Sequence, residues 1–357
     1  MRVVLLTHYY PPEIGAPQTR IAALARGLAA LGDEVTVHTG FPHYPDGAIQ
    51  PPYRNRPLLR EREGSVRVLR SAVYPAANRG FARRLADHLS LAASALATAP
   101  AAGPADVVVA ESPPLFLAAG AIAYARAKRA ALVLHVADLW PDSAIELGAL
   151  SSPAAIRGAR MLERAAYRSS VAIACPTEGI AAALDGRPES AGKAALVKPA
   201  VDLDRFDPGR GPGGGAEPPE RPLRVLYAGT VGMAHGLGTL LDAVGELEAR
   251  PEGPSVEVSI AGDGAEAAEL RERLRSRGPA GARMLGALPS ERVPSLYAES
   301  DVAVVLLRDR PLFRGALPTK MLEAMAAGRP LVLSAAGEAA RLVEGAGAGL
   351  VVPPERP

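Results

Sequence analysis

The chain predicts an α/β fold of two doubly wound, Rossmann-like domains, and three observations carry that expectation. Short apolar runs of strand length alternate with helical stretches along most of the chain. The runs are apolar at consecutive positions, the pattern of strands buried on both faces of a parallel sheet. The alternation is broken once, at 207–222, where Asp-Pro-Gly-Arg-Gly-Pro-Gly-Gly-Gly-Ala-Glu-Pro-Pro-Glu-Arg-Pro has almost nothing to bury. The expected organisation is a domain over 1–206, a linker over 207–222 and a domain over 223–357.

In the first half, strands are expected at Val3–Leu6, Glu34–His38, Val66–Leu69, Val107–Ala110, Ala131–His135, Val171–Cys175 and Ala194–Val197. Helices between them are expected at Pro17–Leu31, Arg79–Ala97, Pro114–Arg129, Pro153–Arg168 and Glu178–Leu184. After the linker, strands at Leu223–Ala228, Val256–Ala261, Arg283–Leu285, Val302–Leu306 and Leu331–Ser334 alternate with helices near 237–249, 265–276, 290–298 and 319–327. Two such domains would set their strand ends, and so their binding loops, across a common cleft. The chain stops where another strand has just formed, so a further C-terminal segment is expected.

Composition narrows the function classes. A formal charge of +2 over 357 residues gives no argument for nucleic acid. No apolar stretch reads as a transmembrane segment or a secretory signal. One cysteine, Cys175, excludes an internal disulfide, and its strand setting reads as core. The six histidines show no metal-ligand spacing. Four lysines stand against 36 arginines, so Lys320 is a point cation where the chain usually writes Arg.

Residues 317–330, Leu-Pro-Thr-Lys-Met-Leu-Glu-Ala-Met-Ala-Ala-Gly-Arg-Pro, are the most informative segment. Pro318 and Thr319 suit a helix start, and Gly328 and Pro330 suit its stop. Lys320 and Glu323, three apart, should project together from the first turns. A cation at a helix N-terminus attracts an anion, and a carboxylate one turn on can accept from paired hydroxyls, which together suggest phosphate followed by ribose. A solvated Glu-Lys pair would read the same way.

Other strand ends carry weaker signals. His8-Tyr9-Tyr10-Pro11-Pro12-Glu13-Ile14-Gly15 leaves the first strand, and Gly229-Thr230-Val231-Gly232 with His235 leaves the first strand of the second domain. Glycines there admit a phosphate to backbone amides, or simply make a tight turn. Gly262-Asp263-Gly264 is a third such turn, and Asp-Gly marks turns generally. Asp138 and Trp140 leave a buried strand at a functional address of open α/β sheets, although an Asp capping a turn beside a packed Trp fits as well. Gly-x-Gly-x-x-Gly spacing after the first strand, a Walker loop, a Gly-x-Ser-x-Gly elbow and His-Glu-x-x-His are all lacking.

With these motifs in hand, the chain resembles the retaining glycosyltransferases of family four, which have the GT-B fold, and within them the bacterial surface-polysaccharide and O-antigen branch. The resemblance rests on Tyr9-Tyr10-Pro11-Pro12-Glu13-Ile14-Gly15, on 41–47 (Phe-Pro-His-Tyr-Pro-Asp-Gly), on Asp138-Leu139-Trp140-Pro141-Asp142, on 227–232 and on the 317–330 helix. It implies a nucleotide sugar on the second domain, with Glu323 on the ribose, Leu285 and Gly286 near the base, and Gly15 on the diphosphate. Donor contacts at Thr230, Gly232, Gly262, Gly264, Thr319 and Lys320 follow, and Tyr9, Tyr10, His43, Tyr44 and Trp140 fall on the acceptor side. The family pattern is departed from at Gly315, Thr230, His235, Ala137 and Pro199-Ala200, where it would have Glu, Arg, Lys, His and Asn-Gly.

The expected activity is transfer of a sugar from a nucleoside diphosphate, UDP-linked and an N-acetylhexosamine or related sugar, to an acceptor hydroxyl with retention. Lys320, Asp138 and a protonated His235 are the expected catalytic groups. No cofactor and no metal are expected, because helix ends and cations would stabilise the diphosphate. The partners are the nucleotide sugar and a glycan, lipid-linked sugar or small-molecule acceptor, with no nucleic acid. The expected location is the cytoplasm, with the inner face of the plasma membrane as an option. Arg79, Arg83 and Arg84 with Phe81 and Leu85 could touch a membrane, but a solvated helix face is the preferred reading. A nucleotide-sugar epimerase or hydrolase, and an inactive partner subunit, remain as alternatives.

Overall fold

The computed structural model describes every residue except 14, 45, 46, 77–80, 200, 209–220 and 251. Most of the expected linker, and Arg79 of the basic patch, lie outside the described residues. The chain divides into two compact units, Met1–Lys198 and Pro199–Pro357. The division precedes the Pro/Gly-rich segment, and Phe206 packs in the core of the second unit with Leu296 and Tyr297.

In the first unit the strands are β1 (Arg2–Leu6), β2 (Glu34–Gly40), β3 (Leu58–Glu63), β4 (Val66–Ser71), β5 (Val107–Ser112), β6 (Ala131–Val136), β7 (Ala172–Cys175) and β8 (Ala194–Leu196). They form one sheet in the order β3-β4-β2-β1-β5-β6-β7-β8. All pairs are parallel except β3 with β4. The helices are α1 (Ala16–Ala30), α2 (Phe81–Thr98), α3 (Leu117–Lys128), α4 (Asp142–Glu146), α5 (Pro153–Ser169) and α6 (Glu178–Asp185). Strand β3 was not expected, because Leu-Leu-Arg-Glu-Arg-Glu is an edge strand with no continuous apolar run, and charge is what an exposed edge tolerates. On α2, Arg83 and Arg84 are exposed while Asp87 and His88 are buried.

The second unit has β9 (Leu223–Ala228), β10 (Val256–Ala261), β11 (Ala282–Gly286), β12 (Val302–Leu306), β13 (Leu331–Ser334) and β14 (Gly349–Val352), all parallel, in the order β11-β10-β9-β12-β13-β14. Its helices are α7 (Leu237–Glu248), α8 (Ala267–Arg277), α9 (Val293–Glu299), α10 (Thr319–Ala326) and α11 (Glu338–Gly345). Helix α11 was not expected from sequence. Strand residues alternate between two apolar layers: Leu226, Ala228, Ala303 and Val305 pack with Met321 and Ala324 of α10, while Tyr227, Val304 and Leu306 pack with Leu237, Leu241 and Val244 of α7. Covering both faces explains why the strands read as unbroken apolar runs. In each sheet the winding reverses beside the first strand, between β1 and β5 and between β9 and β12. Ligands of open α/β sheets bind beyond the strand carboxyl ends at such points.

Candidate functional site

At the strand ends of the second unit the loops are built from backbone. The Gly229 amide donates to the Ala261 carbonyl (2.8 Å), Val231 to Asp263 (3.0 Å) and Gly262 to Gly286 (2.8 Å). Gly262 and Gly264 have φ of +150° and +156°, and a Cβ on them would stand 1.8 Å from the Gly229 oxygen and 2.4 Å from the Val231 oxygen. Only glycine fits such a floor. Arg308, just beyond β12, donates from Nε to the Met233 carbonyl (2.7 Å) and from its amide to the Ala234 carbonyl (2.9 Å), bracing the 229–236 loop.

Lys320 turns into this floor. Its Cε lies 2.8 Å from where a Cβ on Gly229 would be, and its ammonium donates to the Tyr227 hydroxyl at 2.5 Å. The Tyr227 hydroxyl in turn donates to the Thr230 carbonyl (2.6 Å). The ammonium also sits 4.2 Å from the centre of the Tyr227 ring, a cation–π distance. Burial pushes the Lys320 pKa down to about 7, against an opposing pull from Glu323. The alternative of a solvated Glu-Lys ion pair is not what forms: among the described residues no carboxylate oxygen lies within 4.0 Å of this ammonium, which donates to Tyr227, although the Glu323 charge still acts on it. Glu323 is half-buried, and burial raises its carboxyl pKa while Arg205 and Lys320 oppose the rise. Tyr297 donates to the Lys320 carbonyl (3.0 Å) and fixes the first turn of α10. Thr319 opens that helix behind Pro318, with no side-chain cap.

His235 is also corrected. Its ring meets Tyr227 edge-on at 6.1 Å, with Nδ1 3.3 Å from the Gly232 carbonyl. Burial, then the Lys320 charge, holds its pKa down to about 3, so the imidazole is neutral near neutral pH. Leu285 and Gly286 end β11, with Gly286 at φ +75°.

The first unit assembles its strand ends from side chains. His8 follows β1, His43 follows β2, and Asp87 sits on α2. The His43 Nε2 lies 3.1 Å from Asp87 Oδ2, and the His8 Nε2 lies 3.2 Å from Asp87 Oδ1. Burial would raise Asp87, but the adjacent His43 and His8 imidazoles outweigh it and hold its pKa down to about 2. Buried Glu13 accepts from the His43 and Tyr44 amides, both at 2.8 Å, and so ties the loop after β1 to the loop after β2. Histidine spacing gave no hint of this cluster, because residues 8, 43 and 87 meet only through the fold. Nearby, Glu111 at the end of β5 accepts from Arg20 (2.5 Å) and Thr7 (2.9 Å), another constellation invisible in the sequence.

An aromatic row crosses the same end. Tyr44 meets Tyr9 at 5.3 Å, Tyr9 meets His8 at 4.5 Å, and His8 meets His88 at 4.6 Å. His88 meets Phe116 at 6.5 Å, and Phe116 meets Trp140 at 5.3 Å. Three of the five expected acceptor-side residues, Tyr9, Tyr44 and Trp140, lie half-buried along this row. The other two do not fit that expectation. Tyr10 is 1% exposed in the apolar core, its hydroxyl donating to Glu63 (2.9 Å), and His43 is 2% exposed against Asp87. Asp138 is half-buried, and burial raises its pKa against a hydrogen bond from Ser143. Gly15 caps α1 with extended backbone, and only the flexible end of Gln18 would meet a Cβ there.

Comparison with known proteins agrees with this architecture. A family described as "Glycosyl transferase 4-like domain" matches residues 15–200, and one described as "Glycosyl transferases group 1" matches residues 222–357. WcaI of Escherichia coli K12, whose name assigns it to colanic acid biosynthesis as a glycosyl transferase, is 25% identical over 94% of this chain and 83% of its own length. The sucrose-phosphate synthase of Thermosynechococcus elongatus superposes with a TM-score of 0.75 at 18% identity, covering 99% of this chain and 86% of that one. Anabaena HepE, solved in complex with UDP-glucose, gives 0.68 at 18% identity, covering 100% and 86%. The chain belongs to the group 1, family-four-type glycosyltransferases of GT-B fold.

Proposed function

We propose that the chain moves a sugar from a UDP-linked donor, an N-acetylhexosamine or a related sugar, to an acceptor hydroxyl with retention at the anomeric carbon. The observation that carries this reading is the buried Lys320 ammonium lying on the Gly229 turn at the point where the second sheet reverses its winding. As the glycosidic bond to the diphosphate breaks, negative charge grows on the leaving oxygens. A preorganised, desolvated cation and backbone donors aimed there stabilise that charge more than they stabilise the intact donor. Lys320 and the Gly232 amide take this role, with the Gly15 amide assigned to the diphosphate by family pattern. Glu323 accepts from the ribose hydroxyls, and Leu285 and Gly286 flank the base. A neutral His235 contributes a hydrogen bond rather than a charge.

On the acceptor side, Tyr9, Tyr44 and Trp140 offer ring faces to a sugar, and Asp138 orients a hydroxyl. The diphosphate chemistry runs on Lys320 and amides, with no Mg²⁺ or Mn²⁺ required. The complexes of HepE with UDP and UDP-glucose support a uridine donor, and the name of WcaI supports a surface-polysaccharide acceptor. Among the described residues no helix is long and apolar enough to cross a membrane. The test is a panel of nucleotide sugars with the purified chain, reading nucleotide release with and without acceptor and the anomeric configuration of the product by NMR. Release that needs no acceptor, or an inverted product, would overturn the reading.

A further inference from the structure

We propose that His8, His43 and Asp87 form a binding site for a divalent ion of the zinc class. One ligand atom from each of the three lies within 4.8 Å of the others, and all three side chains are buried. Zinc bonds to imidazole nitrogen and carboxylate oxygen are about 2.0–2.2 Å, so tetrahedral neighbours around the ion stand roughly 3.4 Å apart. The ring-to-carboxylate separations, His43 to Oδ2 at 3.1 Å and His8 to Oδ1 at 3.2 Å, are of that order, each to its own oxygen of Asp87.

Hydrogen bonding alone leaves the cluster incomplete. Although His8 Nε2 is 3.2 Å from Asp87 Oδ1, neither atom has a hydrogen-bond partner, and His8 Nδ1 has none either. Orphaned polar atoms in a buried site are costly, and an ion facing the His8 nitrogen and the carboxylate would satisfy both. His43 has the arrangement of a metal ligand: its Nδ1 stands 2.8 Å from the Phe41 carbonyl, so with an ion bound a proton on Nδ1 would leave the Nε2 lone pair for the ion, in place of the Nε2 hydrogen bond to Asp87. Two imidazoles and one carboxylate suit zinc better than magnesium, which prefers an octahedron of oxygens. Glu13 sits behind the site, holding the His43 and Tyr44 amides. The three ligands come from the loop after β1, the loop after β2 and helix α2, so the ion would join three separate elements.

The test uses the full chain and readouts independent of sugar transfer. Metal content after gel filtration should show near-stoichiometric zinc, and the stripped protein should take up Co²⁺ with the visible absorption of a tetrahedral site. Zn²⁺ at micromolar concentration should raise the melting temperature of the stripped protein, and Mg²⁺ should not. His8→Gln and Asp87→Asn should each weaken Zn²⁺ binding by about 100-fold or more. Stripped wild-type protein with neither Co²⁺ absorption nor a zinc-dependent melting shift would overturn the proposal, whatever the variants do. So would folded variants that bind zinc as tightly as the wild type.

Discussion

In the second unit the loops after β9 and β10 are pinned by peptide groups, Gly229 to Ala261, Val231 to Asp263 and Gly262 to Gly286, whereas in the first unit the loops after β1 and β2 are held by side chains, Glu13 on two amides and Asp87 between two imidazoles. The second unit presents one buried cation in a backbone floor, and the first unit presents imidazoles, carboxylates and a row of rings. A backbone floor suits a ligand part that never varies, such as a diphosphate. A side-chain wall can be changed residue by residue and suits the part that differs between enzymes, the acceptor. The comparison can be broken at several points.

The largest effect is expected at Lys320. Lys320→Met should lower kcat by about 10²–10³-fold, the range for loss of one preorganised donor to developing charge, with a smaller loss in UDP affinity measured by calorimetry. Equal losses in both would make Lys320 a docking contact only. Next comes the floor itself. Gly262→Ala should destabilise the second unit by about 2–4 kcal/mol in denaturant unfolding, because the added carbon meets the Gly229 backbone and the backbone cannot yield cheaply. Gly15→Ala should stay within about 0.5 kcal/mol, since only a Gln18 side chain must swing away. Similar costs at the two glycines would remove the contrast between the units.

Glu323→Gln should cost about 1–3 kcal/mol in donor kcat/KM while leaving the fold intact, because an amide keeps only part of a charge-assisted pair to two hydroxyls. Lys320 also gives a pH signature with a definite sign. Its folded pKa is lowered to about 7 by burial, so between pH 7 and the ordinary lysine range the unfolded chain binds more protons than the folded one. The contribution of this group to stability therefore rises with pH across that window, and thermal melts of Lys320→Met should lack the rise. A matching pH slope in the variant would place the shift elsewhere. The smallest effect is expected at His235, where His235→Ala near neutral pH should cost under about 1 kcal/mol in kcat/KM, because a neutral ring has only a hydrogen bond to lose.

Much of the fold was legible because every strand buried on both faces writes itself as a continuous apolar run, as Val302–Leu306 does with alternate residues in two apolar layers. Strand β3 was missed for the converse reason: it is an edge, charged at four of its six residues, and pairs antiparallel. The second unit's candidate site was proposed from glycines and one lysine within short segments, which the fold brings together at its strand ends. What the sequence could not give was the direction of the Lys320 side chain, which helical spacing put with Glu323 and packing put on Tyr227. The first unit's site was hidden further, since His8, His43 and Asp87 are scattered over three elements and no spacing rule joins them. Tyr10 was misplaced because it adjoins Tyr9 in the motif yet packs with Ile21, Val37 and Val68.

The glycine floor also limits how this enzyme can change. At Gly262 and Gly264 no side chain can enter without moving the chain opposite, so a point mutation there costs stability before it can alter preference. Neutral drift is closed at those positions. On the proposed function, selection for a new sugar would act instead on side chains such as Thr230, Leu285 and His235, or on the aromatic row of the other unit. On that proposed function, the part of the site assigned to what all donors share is frozen by geometry, and the part assigned to telling them apart is open to single-residue steps.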